Sequence, residues 1–476
     1  MTFRLTASPR HASLALAMTA GLACGASAWT ACSNPSGAGT LGTTCPAAIS
    51  DAGAVTIAND AGTALKPFVS SSACDPGAGA VYVTISGESN ALTGYPFPPG
   101  DFSQDTYMYD GWQFEIDKYI VVVDKVVLWA NPNESSTNQS LHGAQVAHLD
   151  GPFVVDLHKG GDIVGQGGYP EEATPLGVLT NQNDNGGAAF GPTTSYGFGF
   201  STVGATYDAY NVNLDPSEAD DYAYMVAHGA SVYYRGHAVW KGNESSFGCT
   251  QTSAGMGDHV GLVQVDGGPD GGSPTYVDGG YDFARAAVDG PKGMNFRFAF
   301  ATPTNYVNCQ NYTAQGVGIG GEASPRGVQV TSSGSVIAQV TIHMDHPFWE
   351  SFAEDTPVHW DQIAAQYVGV PSPPDGGLIE SHLEDFRGVP FQGFSDHQGT
   401  PLPWRNCSGL HYTPPGNGQM FFSTLSVPVD PRETDPAKAI RDYYDYIRYA
   451  QSTQGHLNSQ GLCYIDRQFP APPGGS

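Results

Sequence analysis

Only 19 of the 476 residues are lysine or arginine, against 46 aspartates and glutamates. The formal charge of −27 repels phosphate backbones and anionic headgroups. That argues against nucleic-acid binding and electrostatic docking on a membrane, and leaves cations as the natural ligands. None of the eight cysteines stands in a C-x-x-C pair, so a zinc ribbon, a thioredoxin-type dithiol and c-type haem attachment all lack their motif. G-x-S-x-G, H-E-x-x-H and the Walker A loop are missing too, and with them the familiar hydrolase and NTPase chemistries. Past residue 31, no stretch approaches the ~20 apolar residues of a membrane-spanning helix.

What is present begins with an export signal. Arg4 and Arg10 form a positive leader, and Ala12 to Ala23 is an apolar run ending in small residues. Cleavage before Cys24, before Cys32 or after Ala28 fits the pattern. Acylation of Cys24 or Cys32 would make the protein a lipoprotein of the cell envelope, on the periplasmic or outer face and touching membrane only through its lipid. The alternative is an uncleaved anchor over residues 12–31, which carry no charge. Cutting at Cys32 leaves Cys45, Cys74, Cys249, Cys309, Cys407 and Cys463, enough for three disulfides of open connectivity. Cys249, Cys309, Cys407 and Cys463 are expected to be oxidised, since each lies beside a strand or helix end.

With 61 glycines and 35 prolines at modest charge, the composition favours many short strands and turns over long helices. Val81–Ile85 alternates, and Trp112–Trp129 reads as two strands with a turn or bulge near Asp124 and Lys125. Similar runs recur at Phe153–Leu157, Tyr196–Phe200, Ala230–Trp240, Phe296–Phe300 and Val336–Met344. The expected fold is mainly β, with β-sandwich-like domains and a small helical C-terminal region. Its one helix is predicted over Pro436–Ser452, with Asp435 as N-cap and Pro436 at the first position. The chain then divides into an export segment (1–31), a Gly/Ala/Ser-rich tether (32–79), an N-terminal β domain (80–250), a β segment with a Gly/Asp-rich insertion (251–335) and a His-rich C-terminal region (336–476). Within the insertion, Asp266-Gly-Gly-Pro-Asp-Gly-Gly is a calcium candidate or a solvated loop.

Groups able to carry chemistry concentrate in the last third. Seven of the fourteen histidines follow Val336, and no lysine or arginine lies between Arg326 and Arg387, a field that favours a bound cation. A strand through Val336–Met344 would put Thr341, His343 and Asp345 on one face, roughly 6–7 Å apart. Pro347 ends the ladder and frees His346 to swing inward, while Gly455, just past the helix, permits a reversal that folds His456 back onto the sheet. His343, Asp345, His346 and His456 are therefore the predicted metal ligands; imidazole and carboxylate without thiolate suit zinc or copper, then non-haem iron. The competing reading is a hydrogen-bonded cluster that orients the last helix. His359, His382, His397 and His411 are further candidates, and Trp349, Trp360 and Trp404 read as core.

His343-Met-Asp-His-Pro-Phe348 and Thr453-Gln-Gly-His-Leu-Asn-Ser-Gln-Gly-Leu-Cys463 resemble the paired H-x-D-H-x-F and T-x-G-H-x-x-x-x-G-x-C elements of a family of bacterial exported proteins and predicted lipoproteins without an assigned activity. Asp110-Gly-Trp112 and Gly151–Leu157 fit the N-terminal half of the same family. Some relatives carry an acidic, EF-hand-like loop between the two motifs; here Pro371–Glu380 has lost most of those carboxylates. The resemblance implies export and no substrate. The expectation is a transition-metal-binding protein of the cell envelope, with a metal-free surface module or a metalloenzyme as alternatives. Intact-mass measurement of protein from a native-type host is expected to find an acylated terminus at Cys24 or Cys32; an unmodified terminus at Trp29 would remove the lipid anchor.

Overall fold

Trp112–Trp129 is one strand of 18 residues, and the rest of the larger sheet is assembled around it. Its first half alternates, with Trp112, Phe114 and Ile116 buried between partly exposed residues. From Tyr119 to Val123 every side chain is buried, because here the strand is covered on both faces. Tyr119, Val121 and Val123 point into the main core, whereas Ile120 and Val122 meet Tyr222 and Met225 of the helix Ala219–His228. The expected break at Asp124 and Lys125 is a bulge, with Lys125 at φ 49° and a register shift against Ser195–Thr202, so the two predicted strands are a single one.

The structure is a computed structural model describing residues 57–59, 61–68, 77–100, 107–161, 163–166, 172–242, 250–251, 262–265, 275–278, 291–349, 358–367, 369–387, 405–406 and 442–469. It is mainly β, with two large mixed sheets and a small helical region near the C-terminus. In the larger sheet Trp112–Trp129 is antiparallel to Val232–Trp240, which is antiparallel in turn to Gly293–Phe300, and Phe153–Asp156 pairs on its other side. The second sheet has the order Gly461–Leu462, Gly455–Leu457, Val336–Ile342, Val81–Ser86, Glu172–Leu179, Ile163–Val164. Strands from residues 80–250 and from 336–476 thus share both sheets. Part of the predicted tether also joins the fold: Ile57 and Leu65 are buried, and Lys66–Pro67 pairs with Tyr210–Asn211. Within the main core, Phe114, Phe296, Phe298, Phe348 and Trp360 form a cluster with neighbouring ring centroids 4.7–6.2 Å apart. Trp349 and Trp360 are core, as expected.

The C-terminal helix is shorter than predicted. It runs Tyr443–Gln451, and its N-cap is Asp442, whose side chain accepts from the Asp445 amide. Asp442 is extended (φ −147°, ψ 179°), which ends the helix there; Asp435 and Pro436 lie outside the described residues. All nine helical residues are buried, so a single apolar stripe does not describe it. Residues 1–31 with Cys24 and Cys32, most of the Asp266 insertion, and Cys249, Cys407, His397, His411 and Trp404 also fall outside the described residues.

Cys309 and Cys463 are bonded to each other across 154 residues of chain. The bond lies at the end of the ladder between Thr304–Val307 and Tyr464–Arg467, so it fastens the segment carrying His456 to the larger sheet. Closing so long a loop restricts the unfolded chain strongly. Replacing both cysteines by serine is expected to lower the unfolding free energy by about 2–5 kcal/mol, read from urea denaturation. A double variant as stable as the parent would mean that the crosslink is not what secures this segment.

Candidate metal centre

Two parallel strands set the position of the site. Val336–Ile342 lies parallel to Val81–Ser86, with Thr341 opposite Ser86, and antiparallel to Gly455–Leu457, with Thr341 opposite His456. The strand ends at Ile342, so His343 and Asp345 are not brought together by strand alternation, as the spacing suggested. His343 is the first residue beyond the strand. Its amide donates to the Gln454 carbonyl at 3.0 Å, and its own carbonyl accepts from the Tyr119 hydroxyl at 3.2 Å. His346 opens a short 3-10 turn, His346–Phe348, in which Pro347 helps bend the chain inward. The imidazole of His346 stacks on Trp349 with centroids 3.7 Å apart.

His456 reaches the site from inside a strand. Gly455 does not make the expected reversal; the turn is made by Ser452, Thr453 and Gln454, and Gly455 already pairs with Ile342. Glycine is required there for a different reason: a Cβ would overlap the ring of Tyr306, which is buried and stacked on Phe200.

One nitrogen from each of His343, His346 and His456 lies within 4.8 Å of the other two, in a buried cluster able to coordinate a metal ion. The rings of His343 and His456 are 4.2 Å apart between centroids, and His346 is 5.5 Å from each. Asp345 is not part of this group. Its Oδ2 accepts from Trp349 Nε1 at 3.0 Å, and its Oδ1 stands 3.9 Å from His346 Nε2, at the edge of the cluster. His359 and His382 are placed elsewhere, beside Asp110 at 3.9 Å and Glu380 at 3.2 Å.

The hydrogen bonds assign the protons. Thr453 Oγ1 gives its proton to the Ala450 carbonyl, so it can only accept from His346 Nδ1 at 2.5 Å. His346 is therefore an Nδ1–H tautomer whose Nε2 lone pair faces the cluster, and that nitrogen has no hydrogen-bond partner. Neither ring nitrogen of His456 has a partner of good geometry. Burial, reinforced by the positive charge of His343, keeps the pKa of both rings well below the usual histidine value, so both are neutral. Burial alone would also favour neutral His343, but the Glu88 carboxylate outweighs it and raises its pKa to about 10. Glu88 in turn is held below the usual carboxylate range, since His343 and the Ser459 hydroxyl overcome its burial. Burial raises Asp345, against the pull of His343.

Glu88, Thr453 and Ser459 escaped the sequence reading. Thr453 stands inside the T-x-G-H element and could have been found there; Glu88 stands in no motif. No family model matches the chain, and neither a curated protein nor a solved structure does. Gly455→Ala is expected to cost about 1–3 kcal/mol of stability, because the Tyr306 ring cannot yield without disturbing Phe200. The displaced strand should also weaken whatever the three imidazoles bind. A Gly455→Ala protein with the parent's melting temperature would contradict the packing described.

Proposed function

We propose that this is an exported protein, lipid-anchored through Cys24 or Cys32, that binds one transition-metal ion through His343, His346 and His456. Zinc or copper is favoured over non-haem iron, since imidazole nitrogen suits both and no thiolate joins the cluster among the described residues. Asp345 stands near enough to join the shell with a change of rotamer. The single observation that carries the reading is the set of three imidazoles, each at most 6% exposed, whose donor nitrogens converge while three of their ring nitrogens lack partners. A metal-free cluster would leave the inward lone pairs of His346 and His456 unsatisfied at about 1–3 kcal/mol each, whereas an ion takes up one from each ring. The strongly acidic surface favours delivery of a cation.

The number of ligands supports a second reading. Three protein ligands leave a tetrahedral ion with an open position for water or substrate, the arrangement of catalytic rather than closed structural sites. Elemental analysis of the purified protein is expected to give one zinc or copper per chain. His343→Ala and His456→Ala should each lose most of it while keeping the parent's circular dichroism spectrum. Metal absent from the parent after incubation with Zn2+ and with Cu2+ would defeat the proposal.

A further inference from the structure

The same parallel pairing that fixes His343 places a carboxylate beside it. Ser86 is opposite Thr341, and just past the ends of the two strands Glu88, the first residue of the short helix Glu88–Thr93, lies beside His343. Glu88 Oε1 lies 3.4 Å from His343 Nε2 and accepts from the Ser459 hydroxyl at 2.7 Å. His343 Nε2 also lies 3.1 Å from the Ser459 carbonyl. A carbonyl and a carboxylate can only accept, so Nε2 must carry the proton. Nδ1 is then the nitrogen that His343 can offer an ion, which displaces the second proton of the charged ring on binding.

The backbone around this contact is held in an unusual form. Glu88 has φ 61°, Asn458 φ 54° and Ser459 φ 73°, a region that side-chain-bearing residues seldom occupy. Each is tied down. The Glu88 amide donates to Ser86 Oγ at 3.0 Å, Asn458 exchanges bonds with the Gln339 backbone at 2.8 and 2.9 Å, and the Ser459 amide donates to Thr341 Oγ1 at 3.0 Å. Strain of this sort persists where the surroundings enforce it, and it gathers at ligand sites. Here it brings both the carboxylate and the carbonyl onto one nitrogen of one ligand.

We infer that Glu88 is the positioning carboxylate of the metal centre: through Nε2–H it fixes the tautomer and orientation of His343 and presents Nδ1 to the ion. The inference rests on the metal-binding reading above. Such outer carboxylates raise the basicity of the ligand they hold, and losing one weakens metal binding by about 10–100-fold. Glu88 itself touches no ion in this arrangement; it acts through His343.

The test compares the full-length protein with Glu88→Gln, nearly the same shape without the charge, and with Glu88→Asp. Zn2+ affinity is measured by competition with a chromophoric chelator, and the ligand field by the visible spectrum of the Co2+ form. Glu88→Gln should bind Zn2+ about 10–100-fold more weakly and shift the Co2+ bands, Glu88→Asp should recover part of both, and the exposed control Glu380→Gln should change neither. A purely structural role would lower stability while leaving the spectrum of the bound Co2+ alone, and that result overturns the inference, as does parental affinity in Glu88→Gln. A crystal structure of the Zn2+-loaded parent decides the point without any variant: zinc on His343 Nδ1 with Glu88 on Nε2 is expected, and zinc on Nε2 overturns it. A parent that binds neither Zn2+ nor Co2+ would remove the metal reading itself, whereas a parent that binds both while Glu88→Gln matches it would remove the role of Glu88 alone.

Discussion

Everything at the candidate centre depends on one strand pairing. Val336–Ile342 lies parallel to Val81–Ser86, although some 250 residues of chain separate them, and it takes Gly455–Leu457 along its other edge. Side chains alternate along a strand, so a slip of one residue would carry Glu88 past His343 and turn His456 to the opposite face. The register is held from both sides by burial. Val81, Val83, Ile85, Val340 and Ile342 enter the main core, and a slip of one residue would put polar neighbours such as Thr84, Gln339 and Thr341 in their place. The apolar packing that stabilises the sheet therefore also sets the geometry of the polar cluster at its end.

That cluster runs against the general rule of interiors. Three imidazoles, two carboxylates and several hydroxyls and amides are gathered where the neighbouring aromatic core would favour hydrocarbon. Most of these groups are satisfied by one another: Thr453 by His346 and Ala450, Asp345 by Trp349, Glu88 by His343 and Ser459. The exceptions are nitrogens of His346 and His456, the two rings kept neutral. His346 has what a metal ligand requires before its ion arrives, an outer nitrogen bonded to Thr453 and an inward lone pair left free. His343 directly follows one strand of the sheet and His456 lies within its neighbour, with the Cys309–Cys463 bond fastening the far side.

Much of the fold was legible. The valine-rich run within Trp112–Trp129 reads as strand because β-branched residues suit a pleated, doubly covered position, and the structure covers it on both faces. The aromatic runs at Tyr196–Phe200 and Phe296–Phe300 follow the same logic. His343, His346 and His456 were recognisable as a set because proline and glycine stood beside them in a stretch without positive charge. The local reasons were less sound. His343 was assigned to a strand that stops one residue earlier, and Gly455 to a turn when it yields space to Tyr306. One helix over Pro436–Ser452 is not formed because Asp442 caps a helix of its own, and only its extended backbone reveals that start.

By itself, then, the sequence determined the mainly β class, the acidic character and the residue types that could meet at a metal, since alternation, charge and side-chain chemistry are local properties. Tertiary structure decided which residues meet. Glu88 has no neighbour in the chain to mark it, and it faces His343 only because two strands far apart in sequence adopt one register. The protons on His343 Nε2 and His346 Nδ1 were likewise decided by contacts across the fold, with Ser459 and Glu88 on the first imidazole and Thr453 on the second. A hydrogen bond depends on distance and direction in space, and linear order records neither.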